Sequence, residues 1–448
     1  MIVIPFVHEG LGNSSYLVQL TPDSALLVDP DRSVDRYLSA AEARGLRIVG
    51  VLETHLHADF VTGSRELLDL LGVQPHAPLD GQVQFPHQGV KSGDDFALEG
   101  VRVLAIGSPG HTPEHMSYTL QAPRSEPPLL FSGGSLIVGG AARTDLVSPD
   151  LTDGLTRAQY RTLKHAFTEL PDETLLYPTH GGGSFCSAGA GSERTSTLGR
   201  ERGSNHLLTF GDEDEFARWF PTTFPGAPDY FFKMRPINQA GPRLRREIVN
   251  PRRLAPDEFN ALMPSSTVID TRPVHEYQTS HVPGSLSIAF RSSFATWLGW
   301  LVEMGTPMLF VVGGEPLERV VEESLLVAQE NFAGWLDGGM KAWERAGYPT
   351  RETRSIRHEE ARRLFADGAQ PLDVREPSEF EAGHLDDAIS IPLGSLPRSI
   401  DRVRDAPPVI AYCGHGERST TGASLLERAG IEALNLEGGF EEWDAQAE

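Results

Sequence analysis

The sequence predicts an α/β protein: one sandwich of strands and helices followed by two small α/β units with parallel sheets. Three observations predict it. Strands and helices alternate over the first 190 or so residues, the second half of the chain repeats itself, and 448 residues suffice for about three domains of ordinary size.

Residues 18–20 and 25–29 read as a hairpin of strands. Residues 34–44 are amphipathic and stop at Gly45, which reads as a helix. Residues 48–52 form a buried strand that runs into a histidine-rich loop, and 101–106, 116–120 and 129–131 are further strands. This alternation is the pattern of an α/β sandwich, expected over residues 1–240. Residues 192–253 are polar and punctuated by Gly, Arg and Pro. They are expected to be an ordered extension of the first domain followed by a linker, with Arg235 to Pro242 loop-like.

From about Leu254 the chain repeats. Val268-Ile269-Asp270-Thr271-Arg272 matches Pro371-Leu372-Asp373-Val374-Arg375, and His281-Val282-Pro283 matches His384-Leu385-Asp386. Leu336-Asp337-Gly338-Gly339 with Trp343 matches Leu436-Glu437-Gly438-Gly439 with Trp443. The offsets are 103, 103 and 100 residues, so two units are expected, at 254–350 and 354–448. Each reads as strand, loop, helix, strand, helix, which requires a parallel sheet.

The chain carries 62 acidic and 39 basic side chains, a net charge of −23, which leaves no basic field to hold nucleic acid or an anionic membrane. No apolar run approaches the roughly 18 residues of a membrane span. The N-terminus has no basic region of a secretory signal, so a cytoplasmic protein is expected, with a homo-oligomer left open. The two cysteines, Cys186 and Cys413, form no disulfide framework and are more informative as thiols.

Three strand-end loops each offer histidine. They are Thr54-His55-Leu56-His57-Ala58-Asp59, Pro109-Gly110-His111-Thr112-Pro113-Glu114-His115, and Pro178-Thr179-His180-Gly181-Gly182. A lone histidine is usually a hydrogen-bonded core or surface residue, but this set is a metal-site constellation, since imidazole suits Zn, Fe and Cu.

These motifs resemble the metallo-β-lactamase superfamily, an αββα sandwich with its metal at the strand ends. The dinuclear hydrolases of that family carry a further histidine after the aspartate, and Phe60 stands there in this chain. The resemblance therefore points away from a lactamase or a glyoxalase-II-like thioester hydrolase and toward the persulfide (sulfur) dioxygenase branch. It implies one Fe(II) per chain, with Zn as an alternative, held by His55, His111 and an aspartate. His57, Asp59, His180, Cys186 and Asp145 would then surround the ion or the substrate. The aspartate ligand is expected after residues 129–131, where the chain reads Ser132-Gly133-Gly134-Ser135, so Gly134 replaces it. Three outcomes stay open: water or an anion fills the position, Asp145 or Glu114 substitutes, or the domain only binds. If the gap handicaps the site, restoring Asp at position 134 raises iron content or activity. Cys186 is either a small buried hydrophobe or a thiol near the metal that carries or receives a persulfide.

Residues 408–412 read as a strand running into Cys413-Gly414-His415-Gly416-Glu417-Arg418-Ser419 and a helix from about Thr420. Backbone N–H groups and a helix N-terminus converging on sulfur favour the thiolate, and Arg418 offers a cation to an anionic sulfur donor. This loop, with His384 and Trp443, resembles the rhodanese family, whose cysteine cycles through a persulfide. The matching segment of the first repeat, residues 308–315, has no cysteine and is expected to be a scaffold or docking surface.

The whole chain is similar to persulfide dioxygenase–rhodanese fusions. The expected substrates are O2 with a low-molecular-weight persulfide, such as glutathione persulfide, or thiosulfate. The alternatives are a sulfurtransferase or sulfur carrier with a silent sandwich and, less favoured, the thioester hydrolase.

Overall fold

The computed structural model describes residues 1–121, 127–188, 191–404 and 408–445, so the expected end of the last domain at 448 lies outside the described residues. The chain forms two compact units, residues 1–248 with 324–328, and residues 249–323 with 329–448.

The first unit is a sandwich of two six-stranded sheets. One runs in chain order through Ile2–His8, Asn13–Gln19, Ser24–Val28, Arg47–Leu52, His76–Pro78 and Gln88–Val90. The other is ordered Ser196–Thr197, Leu175–Pro178, Leu129–Gly133, Met116–Gln121, Val101–Gly107 and Asp95–Leu98. The two-residue period of a strand sorts the apolar side chains into layers. Tyr16, Val18, Leu26 and Val28 meet Val103, Tyr118, Leu120 and Phe131 between the sheets. Their neighbours Leu17, Ala25 and Leu27 point outward and are covered by Tyr37, Ala41 and Leu67 of the helices Asp35–Glu42 and Ser64–Leu71. On the far side Leu130 and Leu176 pack under Leu163 of the helix Thr152–His165 and under Phe216 and Phe220. The layering is αββα, as the sequence predicts.

The extension differs from its expected character. Residues 235–242 read as a loop, yet Phe231–Ala240 is a helix with Pro236 inside it. Proline removes one backbone bond from such a helix. Side-chain bonds to the sandwich offset that loss: Arg235 pairs with Glu114, Asn238 holds three backbone groups of the histidine loop, and Gln239 Nε2 donates to the Gly81 carbonyl at 2.9 Å.

The second unit contains two five-stranded sheets with the same topology. The strands Arg253–Leu254, Phe332–Leu336, Met308–Val311, Thr267–Asp270 and Leu286–Ser287 neighbour one another in that order. Ser355–Ile356, Ala433–Leu436, Val409–Tyr412, Gln370–Asp373 and Ile389–Ser390 repeat it. Every pairing is parallel. The sequence repeat is a repeat of buried charge as well. Asp270 binds the Arg272 guanidinium at 2.6–3.1 Å, and Asp373 binds Arg375 at 2.7–3.0 Å. Each arginine then donates to a carbonyl eight residues on, Ser280 or Gly383. Among the described residues no helix is long and apolar enough to cross a membrane.

Candidate metal centre and cysteine loop

Buried strands end where the histidines begin. His55 and His57 follow Arg47–Leu52, His111 follows Val101–Gly107, and His180 follows Leu175–Pro178. All four side chains are buried, and ring centroids of His111 and His180 each lie within 5.3 Å of His55. His55, His57 and His180 offer donor atoms within 4.8 Å of one another, and so do His111, His180 and Cys186.

Hydrogen bonds fix the tautomers. His111 Nδ1 lies 2.6 Å from the Arg143 carbonyl, which can only accept, so Nδ1 carries the proton and Nε2 keeps its lone pair. That Nε2 is buried without a hydrogen-bond partner. Thr54 gives its hydroxyl proton to Asp29 Oδ2 at 2.7 Å and so accepts from His55 Nδ1 at 2.8 Å. The freed Nε2 of His55 sits 3.3 Å from Nε2 of His180. Burial, with His57 nearby for His55 and His180 nearby for His111, holds both rings well below the usual imidazole range, hence neutral and able to ligate.

His57 and His115 take other work. Burial alone would strip His57 of its proton, but Asp29 and Glu53, at 3.4 and 3.3 Å, raise it to about 10. Its two carboxylate neighbours favour the imidazolium form. Phe60 stacks on it at 4.2 Å, an apolar ring beside the histidine loop where a second ion would need a donor. His115 Nε2 accepts from the Gly134 N–H at 2.9 Å while Nδ1 meets Ser108 Oγ at 2.9 Å, so both its nitrogens are engaged. Asp59 places Oδ2 3.4 Å from His180 Nδ1, and both its buried carboxylate oxygens lack a hydrogen-bond partner. The orphaned buried donors of His111 and Asp59, around neutral imidazoles, fit a metal ion.

Neither expected stand-in for the missing carboxylate is free. Both Asp145 oxygens are taken by Arg143, at 2.7 and 2.8 Å. Glu114 is clamped by Arg235 at 2.7 and 2.9 Å and accepts the Leu56 N–H at 3.1 Å. The space at Gly134 is also closed. A Cβ there would meet His111 Cδ2 at 2.7 Å, Ala142 Cβ at 2.9 Å and His180 Cδ2 at 3.0 Å. An aspartate at 134 could not enter without moving the rings.

Cys186 is fully buried, and burial pushes its thiol well up. Its carbonyl accepts the Arg143 N–H at 2.8 Å, and its own N–H donates to Ser184 Oγ at 3.1 Å. The helix Phe231–Ala240 supplies supports that the sequence reading missed. Asn238 donates to the carbonyls of His57 and Phe60 at 2.9 Å and accepts the Thr62 N–H at 3.0 Å, and Tyr230 just before the helix donates to the Asp59 carbonyl at 3.1 Å. Their signal was available: Tyr230, Met234 and Asn238 recur at the helical four-residue step.

In the last repeat Val409–Tyr412 delivers Cys413 to a loop that ends at Gly416, whose φ of 95° suits glycine, and the helix begins at Glu417. The Gly416 N–H lies 3.1 Å from Cys413 Sγ and the Ser419 hydroxyl 3.5 Å from it. Arg418 is not a lone cation. Glu379 holds its guanidinium through two bonds of 2.6 Å. The loop opens on a cleft of about 700 Å³, with His415, Gly416 and Glu417 on one wall. Phe290, Arg291 and Gly313-Gly314 of the cysteine-free repeat form the other. Arg291 pairs with Glu417.

Comparison with known proteins matches residues 8–180 to the metallo-beta-lactamase superfamily and residues 255–346 and 357–446 to the rhodanese-like domain. The chain belongs to the metallo-β-lactamase superfamily, in the form that carries two rhodanese-like domains. It is 30% identical to human mitochondrial persulfide dioxygenase ETHE1 over 193 residues, 42% of this chain and 68% of the relative. It is also 33% identical to the hydroxyacylglutathione hydrolase of Synechococcus sp. (strain WH7803) over 165 residues, 35% of this chain and 60% of that protein. The chain thus spans about three-fifths of the hydrolases it matches. Among solved structures, a metallo-β-lactamase from Staphylococcus aureus subsp. aureus COL superposes with a TM-score of 0.66 at 25% identity, covering 75% of this chain and 98% of that one.

Proposed function

We propose that this enzyme oxidises the outer sulfur of a low-molecular-weight thiol persulfide in the sandwich and transfers sulfane sulfur through Cys413. The observation that carries the choice over thioester hydrolysis is Phe60, an apolar ring stacked on His57 where a second ion would need a donor. His111 and His180 bring their donor atoms together, and His55 Nε2 lies 3.3 Å from His180 Nε2, so these imidazoles flank the position of the single proposed ion. Bound Fe(II) would supply open positions for a sulfur ligand and O2. The overall change is R–S–SH + O2 + H2O giving R–SH, sulfite and two protons. The chain's part is to keep His55 and His111 neutral, exclude bulk water and hold the histidine loop through Asn238.

In the last domain Cys413 sulfur attacks the outer sulfur of thiosulfate or of a persulfide. The S–S bond breaks, sulfite or the thiolate leaves with the electron pair, and Cys413 becomes a persulfide. The Gly416 N–H and Ser419 hydroxyl stabilise the anionic sulfur at each stage. A nucleophilic acceptor then removes the outer sulfur.

A second reading, a sulfurtransferase whose sandwich only binds, is favoured by Gly134. One set of assays separates the readings. Full-length protein loaded with Fe(II) should hold about one iron per chain, and with glutathione persulfide it should consume O2 and release sulfite. Cys413→Ser should keep that oxygen uptake and lose thiosulfate–cyanide transfer. Iron-loaded protein that consumes no oxygen selects the second reading, and rapid hydrolysis of a glutathione thioester selects the hydrolase.

A further inference from the structure

We infer that Cys186 is the anionic metal ligand of the sandwich, in a His111–His180–Cys186 set that replaces the carboxylate absent at Gly134. The inference rests on the proposed metal-dependent reading and names the ligands that serve it. The three residues are buried and offer donor atoms within 4.8 Å of one another. His111 supplies an aimed atom that nothing else uses: its Nδ1 is committed to the Arg143 carbonyl, and its Nε2 has no hydrogen-bond partner. His180 carries the Asp59 carboxylate 3.4 Å from Nδ1, the kind of support a metal-bound imidazole has.

The backbone ties the thiol to this place. Ala141–Ala142 pairs antiparallel with Ser187–Ala188, and the Arg143 N–H donates to the Cys186 carbonyl. The Arg143 carbonyl, on the same residue, orients His111. One short ribbon therefore fixes both the imidazole and the sulfur. A side chain at position 134 would collide with the His111 and His180 rings. Asp145 and Glu114 are held by arginines. Asp59 faces Nδ1 of His180, and of these acids and the thiol it is Cys186 whose donor atom groups with those of both His111 and His180.

Imidazole with thiolate is a donor set for Zn(II), Fe(II) and Co(II), since thiolate is the softer anion and the borderline ions accept it. Binding is a ligand exchange. The S–H bond breaks, the proton leaves to solvent, the sulfur–metal bond forms, and no electron is transferred.

The test uses full-length Cys413→Ser protein, in which Cys186 is the remaining thiol. The apo protein is titrated with Co(II). The expected result is one cobalt per chain with a near-ultraviolet sulfur-to-cobalt charge-transfer band. Cys186→Ser in the same background should lose the band and bind cobalt at least tenfold more weakly. X-ray absorption of the zinc-loaded Cys413→Ser protein needs no change at 186 and should show one Zn–S contact near ~2.3 Å. One bound metal with no sulfur signature overturns the Cys186 assignment and leaves the metal-dependent reading standing. No bound metal overturns both.

Discussion

At residue scale the sandwich is decided by what glycine and cysteine each lack or offer. Gly134→Asp is expected to destabilise the chain by about 1–3 kcal/mol through overpacking against His111, Ala142 and His180. Denaturant unfolding would read that loss, and metal analysis should show no gain in bound iron; a rise in iron would mean the rings yield readily to the carboxylate. The family resemblance places the expected aspartate ligand at Gly134, which has no donor side chain. It could not show that the rings had closed over the gap, since that packing depends on the Ala141–Ala142 ribbon, which is distant in sequence. The role of Arg418 was half legible: its place beside Cys413 follows from the motif, whereas its neutralising partner Glu379 lies 39 residues away.

At the scale of elements, Phe231–Ala240 is the part least legible beforehand. Pro236 and the polar run around it mimic a loop, and the helix persists because tertiary bonds outweigh local preference. Arg235 is the clearest probe of that helix. Glu114 is buried and would be left as an unpaired charge in Arg235→Met, a loss of about 3–5 kcal/mol. Thermal melting should show the drop, and adding Glu114→Gln should recover much of it. If the single variant melts as the parent does, the clamp contributes nothing. The strands were far more legible, because alternating burial at Tyr16, Leu17 and Val18 is written directly in the two-residue period.

At the scale of the whole molecule, the second unit is two copies of one topology held face to face by polar contacts. Gln278 Nε2 donates to Thr420 Oγ1 at 2.7 Å, and His281 Nε2 lies 3.0 Å from Glu427. Burial would push Glu427 up, but His281 and the Gly284 N–H more than offset it and hold the carboxyl below its ordinary 4.5. A depressed carboxyl stabilises fully above its unfolded value and loses that contribution as pH falls through its folded one. The melting temperature should therefore fall on acidification below about pH 4.5, and Glu427→Gln should melt lower at neutral pH with a shallower acid slope. Parallel slopes would remove the pair from the account. The duplication itself was legible from the 103-residue offset, but the shared cleft was not, because facing requires both copies folded. The matched Asp270–Arg272 and Asp373–Arg375 forks carry a last implication. One copy has no cysteine in the matching loop yet has the same ionic footing beneath it, so reactivity in this architecture is a removable fitting. Ancestors or engineered descendants could gain or discard it without renegotiating how the chain folds.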